Sequence, residues 1–228
     1  MSPAPGIGLT IRRGEVVYFA TLSAPAFGAL PSEGRIYKSI YDNLAKHGAR
    51  LTDIRVEGVV MSPGEASVIC SLPLAGALVR YRLDRVEVWW DGLRLLSFPA
   101  LAEDAMCALR EVQAETTITT HAVQLTFHAE ARGDLGGWFN GYIPRTPQLD
   151  PNFSPTGVAF SCPLDDGGRG SLLVERSLVV AEGAFVRTIC EYPGALPERI
   201  ICDRAMDFLA NALGKFGMLV SEPERERA

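Results

Sequence analysis

Apolar positions along this chain recur with two periods, every second residue and every third or fourth, and the switches between them mark out its elements. Glu15 to Ser23 is rich in β-branched and aromatic residues and bounded by Gly14 and Pro25, so it reads as the first strand. A helix follows a Gly/Pro loop: Ser32 can cap it, Ile36, Ile40 and Leu44 recur every four residues beside Tyr37 and Tyr41, and Gly48 after His47 ends it. Leu51 to Met61, the turn Ser62-Pro63-Gly64, and Ala66 to Leu72 form a hairpin pattern. From Ala77 to Trp90 the apolar phase runs through Val79, Tyr81 and Leu83, then moves to Val86, Val88 and Trp90. The change of parity at Asp84-Arg85 requires a bulge or a tight turn. Asp91-Gly92 offers a hairpin turn into Leu93 to Leu96. A helix opening at Ser97 and Pro99 then carries Leu101, Ala105, Ala108, Leu109 and Val112 on one face.

The second half begins with Thr117 to Ala131, where Val123, Leu125 and Phe127 alternate with Gln124, Thr126 and His128, the mark of a strand buried on one side. Strands are predicted again over Gly157 to Cys162, Ser171 to Val180 and Ala184 to Tyr192. Turns are expected at Pro163 to Gly170 and at Glu182-Gly183. The closing helix has Pro197 near its start and Ile201, Ala205, Phe208, Ala212 and Leu213 on its inner face; the charged stretch 222–228 follows. Residues 132–155 interrupt this regularity, with Gly, Pro and aromatics but no apolar period, and so read as a long aromatic loop.

The halves 1–115 and 116–221 share an order of strand, intervening segment, antiparallel strands and long helix, the 222–228 tail lying outside both. This predicts an α+β protein: a curved antiparallel sheet with helices packed on one face, built from two pseudo-duplicated halves. A single helix-against-sheet domain with a ligand cavity is the alternative.

Composition narrows the function classes. With 228 residues, 47% hydrophobic and 21% charged, the chain can bury a sizeable core. Its 22 Lys and Arg against 27 Asp and Glu give a net charge of −5, and the basic residues are spread singly along the sequence. Nucleic acid is therefore a disfavoured partner, although a fold can still focus scattered arginines onto one face. The cysteines Cys70, Cys107, Cys162, Cys190 and Cys202 follow no metal or redox spacing and read as small packed thiols in a reducing compartment. The start of the sequence lacks a secretory apolar region, and no apolar run approaches the roughly 20 residues that span a bilayer. A cytoplasmic protein without a membrane partner is expected.

Catalytic chemistry is sparse. No nucleophile elbow, phosphate loop, dinucleotide fingerprint or zinc motif occurs, and no metal or cofactor is expected. His47 lies at a helix C-terminus. His121 and His128 are an odd number of residues apart on one strand and so fall on opposite faces, His121 toward the core and His128 on the polar side. The aromatic loop offers the stronger signal: Trp138, Phe139, Tyr142 and Phe153 are interleaved with Arg145 and other polar groups, the make-up of a recognition surface or of a plug over the sheet. Trp89 and Trp90 must point to opposite faces, leaving Trp89 outside. The sequence thus points to a non-catalytic cytoplasmic binding or assembly protein. It would engage another protein or a second copy through Trp138, Phe139, Tyr142, Arg145, Phe153, Trp89 and His128. The alternative is a small-molecule-binding or hydrolytic enzyme with His128, Glu130 and Cys162 lining a cavity. A weaker third reading stacks single-stranded nucleic acid on Trp89, Trp138 and Phe139.

Overall fold

A computed structural model of the chain describes residues 6–30, 34–58, 66–92, 98–142 and 156–221. The expected Ser32 cap, the turn at Ser62-Pro63-Gly64, the strand Leu93 to Leu96 and the 222–228 tail lie outside these residues, as do Arg145, Phe153 and the side chain of Tyr142.

The strands are β1 (Ile7–Leu22), β2 (Ile54–Glu57), β3 (Ser67–Leu72), β4 (Ala77–Tyr81), β5 (Arg85–Asp91), β6 (Ile118–Arg132), β7 (Gly157–Pro163), β8 (Arg169–Arg176), β9 (Gly183–Pro193) and β10 (Met218–Ser221). The helices are α1 (Arg35–Leu44), α2 (Phe98–Val112), α3 (Leu135–Tyr142) and α4 (Glu198–Lys215). The strands form one curved, open sheet in the order β2-β3-β4-β5-β1-β6-β9-β8-β7, antiparallel throughout, with β10 adding a short parallel pair beside the start of β1. Counting outward from the central pair β1/β6, both halves repeat one order, β1-β5-β4-β3 and β6-β9-β8-β7.

Alternation decides which face is dry. On β6, Val123, Leu125, Phe127 and Ala129 are buried on one side, and on β1 Val16, Tyr18 and Ala20 join them. A bulge between Ile11 and Arg13 shifts the parity of β1, so Ile7, Leu9 and Ile11 reach the same side. The inner faces of α1, α2 and α4 pack against this side, with Ile36, Ile40, Leu101, Ala105, Ile201 and Ala205 fully buried. A second cluster, continuous along β6, gathers Phe127, Leu172, Val174 and Val186 under α3 and the end of α4.

Two expectations are corrected. The first strand starts at Ile7 rather than Glu15, because Ile7, Leu9 and Ile11 continue the alternation upstream of Gly14. The stretch 132–155 is not a loop throughout: Leu135 to Tyr142 is helical, begun by Asp134, whose carbonyl accepts the Trp138 amide at 3.0 Å and whose carboxylate accepts the Gly137 amide at 2.8 Å. The parity switch after β4 resolves into a tight turn in which the Arg82 amide donates to the Arg85 carbonyl at 2.9 Å. No described helix is long and apolar enough to cross a membrane.

Candidate functional site

On the polar face of the sheet no described helix lies, and exposed chemistry collects there. The four described helices pack on one side; on the other, the registers align residues into rows that cross the central strands. One row runs Leu78, Trp89, Val17, Gln124, Ile189 and Ser171; the next runs Arg80, Glu87, Phe19, Ala122, Glu191 and Arg169. Trp89 stands half-buried here, edge-on to Phe19 at 6.3 Å between ring centres, whereas Trp90 is buried in the core against Phe98. The parity argument thus puts the two tryptophans where the strand geometry requires.

Two grooves cross this face. One, of about 430 Å³, is lined by Arg13, Glu15, Thr126, His128, Phe185 and Arg187. In it Thr126 Oγ1 donates to Glu15 at 3.0 Å, and His128 leans on Phe185 at 4.9 Å between ring centres. His128 Nδ1 lies 2.9 Å from the Ser177 hydroxyl, whose oxygen also accepts the amides of Val179 and Val180; this is a serine that closes a turn. The other groove, of about 560 Å³, has Thr21, Thr120 and Ala122 on its floor and Phe19, Arg85 and Arg169 around it.

Next to the second groove the structure assembles a cluster that sequence spacing did not single out. Arg80, Arg82 and Arg85 converge on Glu87, whose side chain is only 4% exposed. Burial pushes the Glu87 carboxyl up, but the hydrogen bonds from Arg85 and Trp89 and the charges of Arg85 and Arg82 outweigh it and hold it below the ordinary carboxylate range. The alternation of Arg80 and Arg82 and the change of parity at Asp84-Arg85 are legible in the sequence; the convergence of all three arginines on Glu87 is not, since it depends on how the tight turn closes.

The aromatic segment takes a different place. Trp138 and Phe139 are buried, packed edge-on at 5.2 Å, and Trp138 Nε1 donates to the Phe216 carbonyl at 2.8 Å. These rings fill the second core cluster and present no contact surface to a partner, since Leu135, Trp138 and Phe139 share the inner face of α3. His128, Glu130 and Cys162 are not brought together. Glu130 pairs with Arg12 at the surface, while Cys162 lies exposed on the edge strand β7, separated from β6 by β8 and β9. The expectation of a packed thiol fails for Cys162, because an edge strand leaves its outer residues uncovered.

Titratable groups also meet on the covered side. The Tyr18 hydroxyl lies 2.8 Å from His121 Nδ1, and Glu198 pairs with Arg110 nearby. Burial lowers the His121 imidazole and raises the Tyr18 phenol and the Cys202 thiol, so each group is held neutral. Tyr18 and His121 are fully buried. Among the described residues no three His, Cys, Asp or Glu side chains gather as a metal site requires. No protein-family model matches the chain, and no curated protein matches it as a relative.

Proposed function

We propose that this is a non-catalytic binding protein that engages another protein through the helix-free face of its sheet. The observation that carries the reading is the face itself. A row of apolar and polar side chains, half-buried except for the buried Val17, runs from Leu78 and Trp89 to Ser171 with His128 two rows away, across strands that no described helix covers. Mixed aromatic and arginine surface of this kind is the composition enriched at protein interfaces. Two of the residues first read as binding groups, Trp89 and His128, belong to it; Trp138 and Phe139 serve the fold beneath. The cysteines fit work in a reducing cytoplasm: none is paired, and Cys70, Cys190 and Cys202 are buried thiols.

The test is site-specific photo-cross-linking in the producing cell. A benzoylphenylalanine is placed at Gln124, central on the face, or at Asp207, exposed on α4 as a control. A discrete adduct is expected from position 124 and none from 207, and excess unmodified protein should suppress it. Its mass separates a second copy of this chain from a different partner. Equal adducts at both positions, or none at 124, would overturn the reading.

A further inference from the structure

Glu87 holds more guanidinium than a single carboxylate can satisfy. Arg85 Nε lies 2.6 Å from its Oε1, Arg82 Nε 3.4 Å from the same oxygen, and Arg80 Nη1 3.3 Å from Oε2, which also faces Trp89 Nε1 at 3.4 Å. A carboxylate accepts about four hydrogen bonds and each guanidinium offers five donors, so donors exceed acceptors several-fold. Glu57 takes one end of Arg80 at 3.4 Å but is itself held by Arg55 at 3.0 Å, and Asp84 reaches Arg85 only at 3.9 Å from an exposed position. Among the described residues the buried Nε atoms of Arg80 and Arg82 find no hydrogen-bond acceptor. Meanwhile the side chains of Arg82 and Arg85 remain 30% and 40% exposed. The hairpin and the buried carboxylate therefore hold the guanidinium groups of Arg82 and Arg85 at the open face, where a further acceptor can reach them. Arg55, Arg80, Arg82 and Arg85 against Glu57, Asp84 and Glu87 leave this patch with one positive charge in a chain of net charge −5.

Beside the cluster the surface changes character. Phe19 and Trp89 meet edge to face, and Arg85 forms one wall of the groove floored by Thr21, Thr120 and Ala122. We propose that the arginine cluster recognises carboxylate side chains of an acidic segment of the protein partner, with the adjoining groove taking an apolar residue of that segment. This rests on the reading of the face as a protein-binding surface. Glu191 lines the same groove, and Glu57 and Asp84 flank the arginines, so the field suits single charges spaced along a peptide better than a compact dianion.

The probe is a fluorescein-labelled decapeptide of glutamates around a central leucine and phenylalanine, followed by anisotropy on the full chain. Its lysine counterpart and inorganic phosphate run alongside. Saturable binding that weakens as salt is raised is expected for the acidic peptide alone. Arg82→Ala with Arg85→Ala should weaken it about tenfold or more, whereas Arg199→Ala, exposed on α4, should leave it unchanged. Should the alanine pair fail to fold, Arg82→Lys with Arg85→Lys keeps Glu87 paired but loses the planar fork, and binding should still fall several-fold. No saturable binding, or equal loss in Arg199→Ala, would overturn the proposal. So would phosphate that binds by itself and displaces the peptide, which would assign the cluster to a phosphate. The cross-link from position 124 tells the two readings apart. If it persists in the double variant while the peptide does not bind wild type, the face stands and the acidic specificity falls; if it is absent from wild type, the underlying reading falls.

Discussion

His121 carries an imidazole into the interior, fully buried. Its Nδ1 meets the Tyr18 hydroxyl, and the rest of the ring is buried beside the Gly194 backbone, the only other polar group near it among the described residues that weighs on its proton besides the charges of Glu198 and Arg110. Burial lowers the ring's affinity for a proton in the folded state, whereas the unfolded chain binds one near the ordinary value of about 6.5. Between those two values the unfolded state holds more protons, so stability is full above about pH 6.5 and is lost as pH falls below it. Urea midpoints at about pH 7.5 and pH 5.5 should show this loss, and His121→Phe should reduce it, at the expense of the Tyr18 hydrogen bond. An unchanged pH slope in that variant would remove His121 as its source. Trp138 is the opposite case, a large ring fully used. Trp138→Ala should cost about 3–5 kcal/mol in urea unfolding. Trp138→Phe, which loses only part of the ring and the donor to Phe216, should cost about 1–3 kcal/mol. A loss below about 1 kcal/mol for the alanine variant would mean that α3 contributes little to the core. Both residues were visible in the sequence, but only one in its proper place: parity put His121 inside, while nothing local said whether the Trp138 ring faces in or out.

Elements were legible where their period was long and their ends were punctuated. The alternation from Val123 to Phe127, the four-residue recurrence from Ile36 to Leu44 and the Gly48 stop each survive in the structure, Gly48 with a left-handed φ of 92°. Helix α3 was missed because Gly136 and Gly137 dilute helix propensity, although Leu135, Trp138 and Phe139 hold the i, i+3, i+4 spacing. Strand β10 was missed because four residues show no period, and its pairing with β1 is a long-range event that no local pattern encodes. Close backbone approach is equally hidden in the sequence. A Cβ on Gly194 would lie 1.8 Å from the Ile118 carbonyl oxygen, where β6 and β9 converge. Gly194→Ala should therefore destabilise by about 1–3 kcal/mol and loosen amide protection at that end of the pair. Gly214 in α4 meets nothing within 4 Å, so Gly214→Ala should stabilise by about 0.5–1 kcal/mol. Thermal unfolding of the two variants gives both signs; equal shifts would contradict the packing at Gly194.

At the scale of the molecule the two halves share one interior. Tyr18, Leu101 and Ala105 of the first half lie in one cluster with Val123, Leu125, Ile201 and Ala205 of the second, and Ile7 and Leu9 are buried among residues of the second half. Fragments 1–115 and 116–228 should each be largely unfolded alone and regain native far-UV circular dichroism when mixed. Independent folding of either would show that the halves are autonomous. The repeated order of elements was readable from the sequence; the face proposed for binding was not, since it depends on registers that bring Arg80, Arg85 and Phe19 side by side from separate strands. The parallel pair of β10 and β1 has a consequence for biosynthesis. The flank of Ile7 to Thr10 is covered by Met218 to Ser221, and Thr10 touches a serine 211 positions further along. A ribosome releasing this chain in order must leave that greasy rim unguarded until α4 and the residues after it have emerged.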